Sequence, residues 1–154
     1  MQFKYSMLPP DLITGRRVGC AIQVTSKKRL LETLGELLAS ASPTLSPETI
    51  FERLVERERL GSTGLGHGIA LPHARAAEAK APIGAFVQLK AGIEYDAIDA
   101  APVDLAFALL VPEEANEMHL RLLSHLAEKF SDTAVRNRLR HAQSDVEILT
   151  ILQS

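Results

Sequence analysis

Apolar residues recur along this chain with two different spacings, and one segment obeys neither. The stretch "GCAIQV", 19 to 24, is a short apolar run and predicts a strand. Ser26 follows as an N-cap, and leucines at 30, 31, 34, 37 and 38 then return at helical spacing. A second amphipathic helix is announced by Ser46 as cap and Pro47 at the first helical position. Ile50, Phe51, Leu54 and Val55 form its stripe, and it is expected to stop before Gly61. In "IGAFVQLK", 83 to 90, Ile83, Ala85, Val87 and Leu89 alternate with more mixed neighbours, which predicts a strand with two unequal faces. "PVDLAFALLVP", 102 to 112, is apolar almost throughout and fenced by prolines, the pattern of a central strand covered on both sides.

From Glu113 onward the pattern turns helical three times. Ser131 and Ser144 are the expected caps, and Ser144 and Glu147 have the spacing of a capping box. In the helix from about 117 to 130, Leu120, Leu123, Leu126, Ala127 and Phe130 form the expected buried face, with His119 on that side and His125 opposite. The order is then β-α-α-β-β-β-α-α-α, an α/β (α+β) fold: a three-layer α/β/α sandwich around a mixed sheet. With no linker, repeat or low-complexity tract in its 154 residues, the chain 1–154 is expected to form a single domain.

Charge and composition narrow the function classes. The formal net charge of -2 offers no basic field for nucleic acid or anionic lipid. The longest apolar stretch, "LAFALLV" at 105 to 111, is far short of the ~20 residues that span a bilayer, and "MQFKYSML" has no apolar targeting core. The expectation is a cytoplasmic protein without direct membrane insertion. Cys20 is the one cysteine, so it has no internal disulfide partner and no partner for a zinc motif.

The segment outside both periods is "GSTGLGHGIALPHAR", 61 to 75, with four glycines and two histidines. It lacks the Gly-Lys-Ser/Thr of a P-loop, and Gly64, Gly66 and Gly68 miss the spacing of a dinucleotide fingerprint. His67 and His73 lie six residues apart across a proline with no carboxylate between them, which does not make a zinc motif. No metal or cofactor is expected. Pro72 fixes its own φ and pushes Leu71 into an extended conformation, so His73 is presented from a stiffened backbone. Locally that histidine reads either as a loop residue satisfied by a backbone carbonyl or as a nucleophile for a phosphoryl or acyl group.

"ERERLGSTGLGHGIALPH", Glu56 to His73, resembles the active-site stretch of the IIA domains of the bacterial phosphoenolpyruvate-dependent sugar phosphotransferase system (PTS), of the mannitol/fructose type and most of all their nitrogen-regulatory branch. The likeness continues in order through "FVQLKAGIEYDAIDAAPVDLAFALLVPEEA", "HLRLLSHLAEKFSD" and "RNRLRHAQSDVEIL", nearly the whole chain. It implies one EIIA type-2 domain in which His73 accepts a phosphoryl group on Nε2 from the histidine phosphocarrier protein of the system, itself charged by Enzyme I.

A phosphohistidine gains roughly two negative charges, so the site needs a guanidinium, N–H donors or both. At ~4 Å and an effective dielectric of ~20, two unit charges interact by about 4 kcal/mol, enough for one arginine to matter. The resemblance assigns that part to Arg57, which lies seven residues beyond Ile50 and so beside the helix stripe. It assigns an accessory part to His119. Ser62, Thr63, Gly64 and His67 are the expected phosphoryl-binding residues, through hydroxyls, close backbone approach or a ring N–H. Arg53, Glu58 and Arg59 read as solvated charges, and His125 and His141 as ordinary histidines. Two departures from the family pattern stand out: His67 replaces the usual asparagine, and Ala74 replaces the common glycine, where a positive φ would be costly.

Two outputs fit the resemblance. One is a regulatory IIA component whose phosphorylation state controls target proteins, such as potassium-transport or sensor-kinase components. The other is a sugar-specific IIA component relaying its phosphoryl group to a separate IIB domain. No IIB part or membrane segment is fused within this sequence, and Cys20 lies in an apolar strand rather than an exposed phosphocysteine loop, so regulation is the expectation.

Overall fold

The computed structural model of the chain describes residues 8, 9, 11–114 and 116–154; the opening "MQFKYSM", expected to lack an apolar targeting core, lies outside the described residues. A short helical turn, Gly15–Arg17, leads into β1 (Val18–Ile22), followed by α1 (Lys27–Ala39) and α2 (Pro47–Arg59). Three short strands come next, β2 (Gly64–Gly66), β3 (Ile69–Ala70) and β4 (His73–Ala76). The long strands β5 (Ile83–Ile93) and β6 (Val103–Pro112) precede α3 (Asn116–Phe130), α4 (Thr133–His141) and α5 (Asp145–Gln153).

The expected α/β/α sandwich is present, with more strands than expected. Five strands, not three, lie between α2 and α3, because the glycine-rich segment itself forms β2, β3 and β4. None of these exceeds four residues, too short for an alternation to show. The sheet is mixed: β1 runs parallel to β5, β5 antiparallel to β6, and β3 and β4 both parallel to β6.

Helix starts follow the caps. The Ser26, Ser46 and Ser144 hydroxyls accept from the amides of Arg29, Thr49 and Glu147, contributing about 1 kcal/mol each. Ser131 is not a cap, contrary to expectation. Its hydroxyl donates to the Glu128 carbonyl and closes α3, while the Asp132 carboxylate accepts from the Ala134 amide and opens α4. The Glu147 carboxylate completes its capping box one residue early, on the amide of Gln143.

Two apolar clusters flank the sheet, one beneath α1 and α2, the other beneath α3, α4 and α5. β5 therefore lacks the unequal faces expected of it. Ala85, Val87 and Leu89 face the first cluster and Phe86 the second, and even Gln88 is buried, its amide donating to the Leu139 and Ala142 carbonyls. β6 is buried from Leu105 through Val111, as its unbroken apolar run implies. In α3 the buried face differs from the expected one. Leu122, Leu126 and Phe130 are its buried leucine and phenylalanine positions, with Leu122 4% exposed, whereas Leu120 is 65% exposed. His119 falls on the buried side, three residues before Leu122, as expected.

Candidate functional site

β3 and β4 succeed one another along a single side of β6. Ile69 pairs with Leu105, and His73 with Leu109. Proline lacks an amide hydrogen, so the strand interrupts its ladder at Pro72, whose carbonyl accepts from the Leu109 amide while the Leu71 amide turns to the Thr63 carbonyl. Alternation resumes at once. Ala74 and Ala76 enter the cluster under α1 and α2, which turns His73 and Arg75 toward the layer containing α3. Ala74 pairs with Leu110 as ordinary strand, so the positive φ considered there is not required. Between Gly61 and Arg75 the described non-glycine residue at positive φ is instead His67, at φ 58°, a residue type that tolerates this better than most.

Arg57, from the last turn of α2, approaches the same imidazole. Its Nε–H donates to Nε2 of His73 at 3.2 Å, and its Nη1 donates to the Gly61 carbonyl at 2.8 Å. A guanidinium N–H never accepts, so Nε2 carries a lone pair, and Nδ1, 2.8 Å from the Leu71 carbonyl, carries the proton and donates there. Burial first, and then the Arg57 guanidinium, hold the imidazolium of His73 below its ordinary range, against the opposing pull of the Leu71 carbonyl and the Glu58 carboxylate. The ring is thus neutral at physiological pH with Nε2 as its nucleophilic atom.

His119 completes the cluster from α3. Its ring meets His73 edge-on, with centroids 5.3 Å apart, and its Nδ1 is buried without a hydrogen-bond partner among the described residues. Burial, followed by the neighbouring His73, Arg75 and Arg57, lowers its pKa to about 4. His73, Arg57 and His119 line an open cavity of about 550 Å³ together with Arg53, Arg75 and Glu113. Arg53 is not simply a solvated charge: its Nη1 donates to the Arg75 carbonyl at 2.7 Å.

The expected phosphoryl-binding set is not gathered here. Ser62, Thr63, Gly64 and His67 do not line this cavity. The Ser62 hydroxyl donates to the Tyr95 carbonyl at 3.4 Å and accepts from the Gly64 amide. Gly64 lies against Ala97, closer than a side chain would allow. The Thr63 hydroxyl is engaged by Glu58 and Tyr95. His67 sits at the tip of the β2–β3 hairpin, its amide donating to Asp99 at 3.0 Å and its carbonyl accepting from Arg140. For His67 the cause is register: Ile69, two residues on, meets β6 at Leu105, four residues and so roughly 13 Å along the strand from the partner of His73. Ser62, Thr63 and Gly64 stay beside Leu71 and Ala70, and it is their contacts with Tyr95, Glu58 and Ala97 that occupy them.

Glu58 is the residue whose role the charge pattern concealed. Its side chain is 5% exposed and sits 2.8 Å from Nζ of Lys27. Helical spacing contained the signal, since 50, 54 and 58 fall on one face, and Ile50 and Leu54 are buried. Tyr95 and Lys27 had no comparable signal, because each belongs to another element.

A neutral imidazole with a bare Nε2 at a sheet edge, an arginine on that atom and a second histidine beside it form an arrangement chemically capable of taking a group onto nitrogen. The chain belongs to the family described as "Phosphoenolpyruvate-dependent sugar phosphotransferase system, EIIA 2", whose family model matches residues 11–154. IIA domains of this system are phosphotransfer components. Among its relatives is the "Nitrogen regulatory protein" of Pseudomonas aeruginosa, 52% identical over 117 residues, 76% of each chain. The protein of the same description from Escherichia coli is 46% identical over 90% of this chain and 83% of its own. In structure the chain resembles nitrogen regulatory protein IIA-Ntr from Neisseria meningitidis, with a TM-score of 0.87 and 45% identity over 92% of this chain and 96% of that one. Among the described residues no helix is long and apolar enough to cross a membrane.

Proposed function

We propose that this chain accepts a phosphoryl group on Nε2 of His73 from the histidine phosphocarrier protein of the system, and that the resulting phosphorylation state controls partner proteins. The carrying observation is the 3.2 Å contact between Arg57 Nε and Nε2, with Nδ1 tied to Leu71. In the transfer the Nε2 lone pair forms the new N–P bond as the donor's N–P bond breaks. A donor ring protonated on its other nitrogen leaves as neutral imidazole, and His73, keeping its Nδ1 proton, becomes the phosphorylated imidazolium. Arg57 exchanges its contact with the lone pair for one with the phosphoryl oxygens, where a charge-assisted bond is stronger. His119, neutral before transfer, stands beside the incoming dianion.

The regulatory output is supported by the relatives described as nitrogen regulatory proteins. A dianion appearing in this open cavity recruits guanidinium groups and repels carboxylates on a partner's surface. Potassium-transport and sensor-kinase components are the proposed targets.

Incubation with Enzyme I, the phosphocarrier and labelled phosphoenolpyruvate tests the first half. Label is expected in wild type and in His125→Ala and absent from His73→Ala; label retained in His73→Ala refutes the acceptor. Capture of the proposed targets by wild type, His73→Ala and the charge-bearing His73→Glu tests the second half. Equal capture by all three contradicts control by phosphorylation.

A further inference from the structure

The side chain of Glu58 gathers contacts from three other places in the fold. Its carboxylate accepts from the Thr63 amide at 3.2 Å and from the Thr63 hydroxyl, accepts from the Tyr95 hydroxyl at 3.1 Å, and pairs with Lys27 at 2.8 Å. Lys27 lies at the same time 4.4 Å over the Tyr95 ring. One buried carboxylate thus binds the start of α1, the end of α2, the turn leading into β2 and the chain just after β5. A nearly buried ion bonded on several sides is a rigid joint, since any loosening strands a charge away from water.

The joint stands next to Arg57 in sequence and is connected to it in space. Between Leu60 and Thr63 the chain makes a tight turn, and its Gly61 carbonyl accepts the Nη1–H of Arg57 at 2.8 Å. Glu58 clamps that turn at its far end, through both the amide and the hydroxyl of Thr63. The path therefore runs from Glu58 to Thr63, through the turn to the Gly61 carbonyl, on to the Arg57 fork and finally to Nε2 of His73. A flexible arginine carries ~2 kcal/mol of rotamer entropy, and holding one of its nitrogens on a fixed carbonyl removes much of the freedom that would take it off its target.

We propose that Glu58 is a positioning residue for phosphoryl acceptance: by gripping Thr63 it fixes the Gly61 carbonyl, which in turn sets the Arg57 guanidinium on Nε2 of His73. Thr63 and Tyr95 act through Glu58, not on the phosphoryl group. The inference deepens the reading of His73 as acceptor and rests on it. It also accounts for Thr63 lying close to the site in sequence while its hydroxyl is turned away. The Glu58 carboxylate raises the pKa of His73, so its charge and its grip are separately measurable.

The test uses the full chain with the variants Glu58→Gln, Thr63→Val and Thr63→Ser, and with Glu52→Gln, an exposed residue of α2, as control. Single-turnover acceptance is measured against phosphorylated carrier concentration, the His73 titration by NMR, and folding by thermal midpoint. Glu58→Gln and Thr63→Val are expected to lower the maximal rate about tenfold or more, with the half-saturating carrier concentration unchanged, since displacement of a positioned group acts on the chemical step. Thr63→Ser is expected to restore the rate, and Glu58→Gln alone to lower the His73 titration midpoint.

Rates within twofold of wild type in folded Glu58→Gln and Thr63→Val overturn the proposal. So does a rate loss that only tracks the unfolded fraction. If Glu58→Gln does not fold, the contrast between Thr63→Val and Thr63→Ser decides alone. If wild type accepts no phosphoryl group, the acceptor reading has failed by itself. Positioning is then judged by the Arg57–His73 contact in NMR, and an identical contact in wild type and Thr63→Val overturns it.

Discussion

His119 meets His73 edge-on, ring centroids 5.3 Å apart, and keeps its Nδ1 buried without a hydrogen-bond partner among the described residues. An unsatisfied buried nitrogen costs ~1–3 kcal/mol, and native proteins tolerate few of them. Here it lies within a ring that borders a cavity lined by arginines, where any positive charge on the imidazole is opposed.

Stability should therefore fall on mild acidification. The pKa of His119 is lowered to about 4 in the folded chain, below its ordinary value, so the unfolded chain binds the extra proton first. The His119 contribution is constant well above the ordinary histidine pKa of ~6.5 and declines as pH drops from there toward the folded value. Between pH 7.5 and 5 the His119 contribution is about 2 kcal/mol. Urea unfolding at both values checks this: His119→Phe should lose correspondingly less than wild type, and an equal loss would show that His119 is not the titrating group.

Arg57 should not be replaceable by lysine. Its Nε and Nη1 make two differently directed bonds, to Nε2 of His73 and to the Gly61 carbonyl, and an ammonium lacks that fork. Both Arg57→Lys and Arg57→Ala are expected to slow phosphoryl acceptance by on the order of 10²-fold. Stopped-time labelling at saturating phosphocarrier measures it, and a lysine variant near wild-type rate would mean that charge alone suffices.

How much of this was legible in the chain depended on whether a residue's partners lay within its own element. The α1 and α2 stripes, the fenced run of β6 and three of the helix caps could be read directly, because their periods and capping residues are local. The buried face of α3 was misplaced, Leu120 for Leu122, since both leucines fit a helical stripe and only the docked sheet chooses between them. Glu58 looked like one charge among "ERER", although its spacing from Leu54 placed it on the buried face. The meeting of Arg57, His73 and His119 joins α2, β4 and α3, and family resemblance rather than periodicity brought them together. For Ser62, Thr63, Gly64 and His67, nearness in sequence does not bring them into the cavity beside His73: His67 sits at the hairpin tip against Asp99, and Glu58 occupies the hydroxyl of Thr63.

Gln88 should be among the costliest polar positions to replace. Buried in β5, it donates to the Leu139 and Ala142 carbonyls and accepts from the Ala21 amide at 2.8 Å, holding a residue at φ 54°. Gln88→Leu keeps the volume but strands these groups, and is expected to destabilise the chain by about 2–3 kcal/mol. Urea unfolding at pH 7.5 measures it; a change below about 0.5 kcal/mol would mean that water replaces the amide.

The most direct test of the account is a nitrogen–phosphorus NMR measurement on the chain labelled with 15N in its histidine rings, before and after treatment with Enzyme I, phosphocarrier and phosphoenolpyruvate. Before treatment, His73 should show a protonated Nδ1 and a bare Nε2 at neutral pH. Afterwards, phosphorus coupling should appear at Nε2 of His73 and at no other ring. Coupling at Nδ1, at another histidine, or at none would contradict it.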